Sequence, residues 1–543
     1  MFLFSTPAHA QDVDALLKSM TLDQKVAQMF MISLYGAQLT DVGRDFLRRW
    51  QPGALALFGD NTGTPQAVTA LTNAFQQTVK DAAGIPMFIA TDEEGGIIAT
   101  LGGPGFTQFP APMIITATGD SQLAYRVGGA MAQELRAVGI NMNLAPVADL
   151  NTNIDNPIIG RRSFGSDPEL TGKIVAAVVR GLQDGGVLAT AKHFPGHGDT
   201  DSDSHLTLPV VTFDKQHLER VELVPFRWTL AAGVESVMVA HIWYPALEPQ
   251  PDLPASLSPN VIGGLLRGEM RYTGLVMTDA LEMDAIDTTY SYGEASVMAV
   301  QAGVDEVVFG GHTGLDTQAS AIRAVITAVK NGVIPESRID ESVRRILAAK
   351  VRYGVLNWQP LDPATAARRI DLQAHADLLN EVFRAGTTLA YDRNHALPLL
   401  DEKKIAMIYP ANRSQIEREC GTYKRDIRWL GVSDSPTDQE IEWAQSAARG
   451  ADSVVVFTQN AYDNARQQAL VRALPSDKTI DVALASPYDW LKFPDVSAYM
   501  LTYSPLQPAV PAACAILFGA APARGVLAVS LGDTLHAGTT TAG

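Results

Sequence analysis

The sequence predicts an α/β chain in two parts: a (β/α)8 barrel of the TIM type over residues 12–355, then a linker and helix at 356–385 and a C-terminal α/β layered-sheet sandwich over 386–543. Three observations carry this expectation. Short β-rich apolar runs alternate with longer helical stretches, the pattern of repeated βα units around a parallel sheet. Eight such runs precede residue 310, enough to close one barrel. Polar residues follow their C-terminal ends, where a barrel of this type converges on one mouth.

The helical pattern begins at residue 12, with Thr21 and Gln24 spaced as a capping box ahead of "KVAQMF". The eight expected strands are "FMISLY", "ALALF", "MFIAT", "INMNLA", "LATAKH", "SVMVAH", "LVMTD" and "DEVVF". Phe58 is followed by Gly59-Asp60-Asn61, Thr91 by Asp92-Glu93-Glu94, and Ala145 by Pro146 and then Asp149. Ala191 precedes Lys192-His193, Ala240 precedes His241, and Thr278 precedes Asp279. Near residue 354 the pattern changes to a Pro-containing linker and a helix from about Leu372 to Arg384. Beyond it "KIAMIY", "SVVVFTQ", "IDVALAS", "AYMLTY" and "VLAVSL" read as strands, with helices such as "TDQEIEWAQSAARG" between them. Neither "LFGAAPARG" nor "GTTLAYDRN" is a phosphate loop. The tail "GDTLHAGTTTAG" reads as disordered.

Composition narrows the function. With 46% hydrophobic and 19% charged residues, 543 residues bury substantial cores. A net charge of −17 repels nucleic acid and anionic membranes. No apolar run approaches the roughly 20 residues that span a bilayer. Cys420 and Cys514 lack metal spacing, and pairing and buried thiols both remain open. "MFLFSTPAHAQD" carries an A-x-A pattern at Ala8, His9 and Ala10, so residues 1–11 read as the remnant of a signal peptide and export is expected.

The stretch "KHFPGHGDTDSDSH" at 192–205 concentrates three histidines, three aspartates and a lysine on a segment that Pro195, Gly196 and Gly198 keep from being helical. Read as an extended segment, Asp203 and His205 face one side. A carboxylate beside an imidazole fixes its tautomer and makes it a competent general acid and base. Asp279 ends an apolar strand, where a carboxylate suits a nucleophile, a metal ligand or the N-cap of "ALEMDAI".

Together with "NPIIGRRSFGSDP", "DEEGG" and "VMTDALEM", this stretch resembles family 3 of the glycoside hydrolases, and more narrowly its two-domain β-N-acetylglucosaminidase (β-hexosaminidase) branch, from about Leu22 onward. The resemblance implies that Asp279 is the nucleophile and that His205, oriented by Asp203, is the acid/base. It implies that Asp92, Arg162, Lys192 and His193 bind the sugar hydroxyls and acetamido region. It implies a carbohydrate substrate and no cofactor or metal: a retaining hydrolase acting on cell-wall fragments or, next, chitooligosaccharides. The family pattern D-Q-E-G-G-R-V-x-R is altered here at Glu93, Ile97, Ile98 and Thr100. A phosphorylase or β-glucosidase of the same family, a metal hydrolase using His193, His197, His205 and Asp203, and a non-catalytic sugar-binding protein are the rivals. Pro195 and Gly196 remove the helix an H-x3-H metal pair needs. His197 is expected to serve loop structure.

Overall fold

The computed structural model describes residues 13–83 and 85–540, so the signal-like segment lies outside the described residues. All eight expected runs become barrel strands: β1 Phe30–Ser33, β2 Ala54–Leu57, β3 Phe88–Thr91, β4 Met142–Asn143, β5 Leu188–Phe194, β6 Ser236–Val239, β7 Leu275–Ala280 and β8 Glu306–Val308. They are parallel, and β8 returns to β1 to close the sheet. Registers such as Leu57 opposite Thr91 and Val239 opposite Thr278 keep the strand ends level, so residues just past them share one mouth. The strands are buried throughout their apolar stretches because helices sheathe them outside and side chains fill the inside. The capping box at Thr21 forms with both reciprocal bonds, to and from Gln24.

A helix at Leu372–Gly386 follows the barrel and is tied back to it by His375, whose Nδ1 lies 2.7 Å from Glu134. The second domain is a six-stranded sheet: β9 Thr388–Asp392, β10 Ile405–Pro410, β11 Ile427–Val432, β12 Ser453–Thr458, β13 Thr479–Ala483 and β14 Ala498–Leu501. Its spatial order is β9-β14-β13-β12-β10-β11, parallel except for β9. Apolar clusters on both faces make it the expected layered sheet. Cys420 and Cys514 form a disulfide linking the helices Gln415–Cys420 and Ala509–Leu517, with Cα atoms 5.1 Å apart.

Two sequence expectations fail in this domain. "VLAVSL" (526–531) is not a strand of the sheet: it crosses to the barrel, where Val526 N donates to Ala117 O and Ser166 N donates to Ala528 O. The tail expected to be disordered instead folds back on that segment as far as residue 540, with Leu527 N donating to Thr539 O and Gly538 N to Leu527 O. Meanwhile β9 and β11, both edge strands, carry no apolar run longer than three residues; the middle of β11 is only partly covered. Among the described residues, no helix is long and apolar enough to cross a membrane.

Candidate active site

A cavity of about 360 Å³ opens at the C-terminal ends of the barrel strands, lined in part by Asp92, Arg162, Lys192, His193, His205 and Asp279. Six of the seven residues singled out in the sequence therefore face one space; the seventh, Asp203, stands behind His205.

Asp279 lies within the end of β7, its side chain 17% exposed. Its Oδ1 accepts the N–H of Ala280 at 2.8 Å, and its Oδ2 is 4.0 Å from His193 Nε2. Burial favours the neutral acid, but His193, His241, the Ala280 N–H and Lys192 outweigh it and hold the carboxyl at about 2. Asp279 is thus an anion at neutral pH. It does not cap a helix: the following one starts at Asp284, with Met283 at the N-cap position and no side-chain cap bond.

The floor is an ion network. Lys192 Nζ donates to Asp92 at 2.5 Å and lies 2.8 Å from Glu94. Arg162 clasps Glu94 with two bonds, Nε at 2.9 Å and Nη2 at 2.8 Å. Burial alone would raise the Glu94 pKa, yet Lys192 and Arg162 bring it to about 2. Lys192 is likewise held above its ordinary value, burial being overcome by Asp92 and Glu94. Four charges thus arrange donors and acceptors with no loose charge between them.

His193 is set by Asp149. Its backbone N–H reaches both carboxylate oxygens and its Nδ1 lies 2.7 Å from Oδ2, so Nε2 is left for the cavity. The chain then turns at Pro195-Gly196 and passes so close to the barrel that a Cβ on Gly198 would sit 1.4 Å from Leu150 O. His197 has both ring nitrogens engaged, Nδ1 by Thr200 Oγ1 and Nε2 by Ser204 Oγ, each at 2.9 Å. Burial first, then repulsion from His193, lowers it to about 4, so it is neutral.

Asp203 and His205 do meet, but through a turn rather than an extended segment. Asp203 O accepts from Leu206 and Thr207 N–H, while Asp203 Oδ1 accepts the His205 N–H at 2.8 Å and lies 2.7 Å from His205 Nδ1. Partial burial raises Asp203, but those His205 contacts outweigh it and keep the carboxylate ionised below its usual range. The His205 side chain is 54% exposed at the cavity rim.

Three contributors escaped the sequence reading: Glu94, Asp149 and His241. His241 is buried with Nε2 3.0 Å from Ala280 O, beside Asp279. Each follows a barrel strand, so the strand-end signal marked them but assigned no role. Thr100, where the family pattern has arginine, lines the cavity and donates its hydroxyl to Asp92 O at 2.9 Å. The set offers a buried anion, a carboxylate-oriented imidazole and a hydrogen-bonding floor, with no helix to align a metal pair.

Comparison with known proteins identifies the family. Residues 21–349 match the glycosyl hydrolase family 3 N terminal domain. The chain is 30% identical over 432 residues to beta-hexosaminidase A of Pseudoalteromonas piscicida, covering 76% of this chain and 71% of the relative. It is 28% identical to a beta-N-acetylglucosaminidase/beta-glucosidase of Cellulomonas fimi, covering 94% of each. A solved family 3 beta-N-acetylglucosaminidase from Paenibacillus sp. str. FPU-7 superposes with a TM-score of 0.83 at 35% identity, covering 94% of this chain and 99% of that one. On these matches and the shared barrel fold, the chain belongs to glycoside hydrolase family 3 and is a glycosidase.

Proposed function

We propose that this glycosidase removes terminal non-reducing β-linked N-acetylglucosamine with retention of configuration. The observation that carries the reading is the single cavity lined by both an ionised Asp279 and the Asp203-oriented His205. Asp279 Oδ2 attacks the anomeric carbon as the glycosidic bond breaks, and His205 gives its proton to the departing oxygen. The result is a glycosyl ester on Asp279. His205, now neutral, takes a proton from water, which attacks the same carbon and releases the sugar. Asp92, Lys192, Arg162 and His193 hold the sugar.

A cavity of about 360 Å³ with a packed floor suits one terminal sugar rather than the middle of a polymer. The names of the relatives support the acetamido sugar. Cell-wall fragments containing N-acetylglucosamine linked to N-acetylmuramic acid are the proposed substrates, with chitooligosaccharides next. The Cys420–Cys514 disulfide supports an exported protein, since such bridges persist in oxidising compartments.

A neutral histidine would also tolerate phosphate as acceptor. Lys192 and Arg162 are already paired with Asp92 and Glu94, which disfavours their use for phosphate and favours water. The test is hydrolysis of a chromogenic β-N-acetylglucosaminide beside the β-glucoside, with and without phosphate, by wild type and His205→Ala. Phosphate-independent release of the acetamido sugar, lost in the variant, is expected. Turnover only with phosphate makes the enzyme a phosphorylase, and indifference to His205 refutes the acid/base assignment.

A further inference from the structure

We infer that the C-terminal domain positions the acid/base loop, and that Tyr462 is the residue through which it does so. This rests on the reading of His205 as the acid/base. Tyr462 follows β12, and its hydroxyl donates to Asp155 Oδ1 of the barrel at 2.7 Å. It is itself well anchored: its N–H donates to the buried Asp489 at 2.8 Å, and Lys492 Nζ lies 4.0 Å above its ring. A second bond crosses the same seam, from Asn151 Nδ2 to Tyr488 OH.

Asp155 lies in a turn that grips the loop bearing His205. Asp155 N donates to Asn153 Oδ1, and Asn153 donates in turn to Gly198 O through its N–H and to Thr200 O through Nδ2. Asn156 Nδ2 reaches His197 O at 2.9 Å and Thr200 Oγ1 at 3.2 Å. His197 then holds Ser204, the neighbour of His205. A continuous line of hydrogen bonds and chain thus runs from Tyr462 of one domain to the acid/base loop of the other. Asp279 stands apart from this line, on strand β7 of the barrel.

The two halves of catalysis therefore depend differently on Tyr462. Protonation of the leaving oxygen needs His205 in register; attack by Asp279 does not. In Tyr462→Phe, which deletes only the hydroxyl, kcat/KM for a substrate with a poor leaving group, such as an N-acetylglucosamine disaccharide, is expected to fall about tenfold, part of the roughly 10²–10⁴-fold that general acid catalysis supplies. For the 2,4-dinitrophenyl glycoside, whose leaving group needs no proton, it should stay within about twofold. Asp155→Ala should reproduce this pattern, Asp155→Asn should largely restore it, and the double variant should be no worse than either single one.

Equal loss on both substrates, or no loss on either, overturns the inference. Amide hydrogen exchange reads the coupling without substrate: Tyr462→Phe should speed exchange in residues 197–205 and not in 275–280. If wild type cleaves no β-N-acetylglucosaminide, the functional reading fails, while unchanged exchange in 197–205 would show that the coupling itself is absent.

Discussion

Asp149 holds His193 by three hydrogen bonds, accepting the backbone N–H at both carboxylate oxygens and facing the ring Nδ1 at 2.7 Å, so that Nε2 turns towards Asp279. Asp149 is fully buried, and His193 and His197 keep it ionised against the opposing effect of burial. Asp149→Asn keeps the shape and removes the charge that fixes the ring tautomer. Steady-state kinetics should show kcat/KM reduced by roughly 10–100-fold, the range seen when partners that orient metal-ligating histidines are lost. A value unchanged within twofold would mean that His193 does not touch the sugar.

Removal of the proposed nucleophile should be far more severe. Asp279→Ala is expected to lose at least about 10³-fold in kcat while still binding substrate. Added azide can enter the space left by the carboxylate and attack the anomeric carbon directly. The rescued product should be the α-glycosyl azide, identifiable by NMR; a β-azide would place the nucleophile elsewhere.

Glu94 is the shared partner of two buried cations. Glu94→Gln leaves Lys192 and Arg162 facing each other with Asp92 as their remaining nearby anion. Loss of one partner of a buried ion pair costs about 3–5 kcal/mol, and denaturant unfolding should show a decrease of that order. The variant should also bind sugar poorly at temperatures where it remains folded.

Glu93 stands where the family pattern has glutamine. It is buried, Leu101 N donates to Oε2 at 3.0 Å, and Oε1 has no hydrogen-bond partner among the described residues. Burial above all raises it to about 8, so it is protonated at neutral pH and resembles the amide it replaces. Its folded pKa lies above the unfolded value, so its favourable contribution is complete below about 4.5 and is lost as pH rises through about 8. Glu93→Gln should therefore change Tm little at pH 5 and raise it clearly at pH 8.5. An equal shift at both values would exclude titration of Glu93 as the cause.

The disulfide joins cysteines 94 residues apart. In the chain-entropy account, closing a loop of that size stabilises the folded state by about 4–5 kcal/mol. Cys420→Ser, or reductant, should lower the unfolding temperature of the C-terminal domain. Unfolding identical with and without reductant would show that the bridge contributes nothing.

The barrel was legible because its strands are buried on both faces and read as short apolar runs, while polar residues must follow them at the mouth. The loop at 192–205 was legible because its titratable groups sit on a segment that cannot be helical. Other features depend on partners distant in sequence. Asp149 looks like one more strand-end polar residue until the fold brings His193 against it. Val526–Leu531 has the composition of a strand, yet its neighbours are Ala117 and Ser166 of the barrel, a choice no local pattern records. The edge strand β9 carries only Leu389–Tyr391 between Thr388 and Asp392, a run too short to stand out in the sequence.

That crossing segment also has a consequence in time. The barrel's last long helix ends at Arg352, but the surface around Ala117 and Gly165 is covered by residues 526–531. At the ~5–20 residues per second of ribosomal synthesis, that patch waits on the order of ten seconds for its cover, while the domain beneath it is already able to fold. Ribosome-bound chains halted before residue 526 should therefore be nicked by protease near that patch, and chains carried past it should be protected.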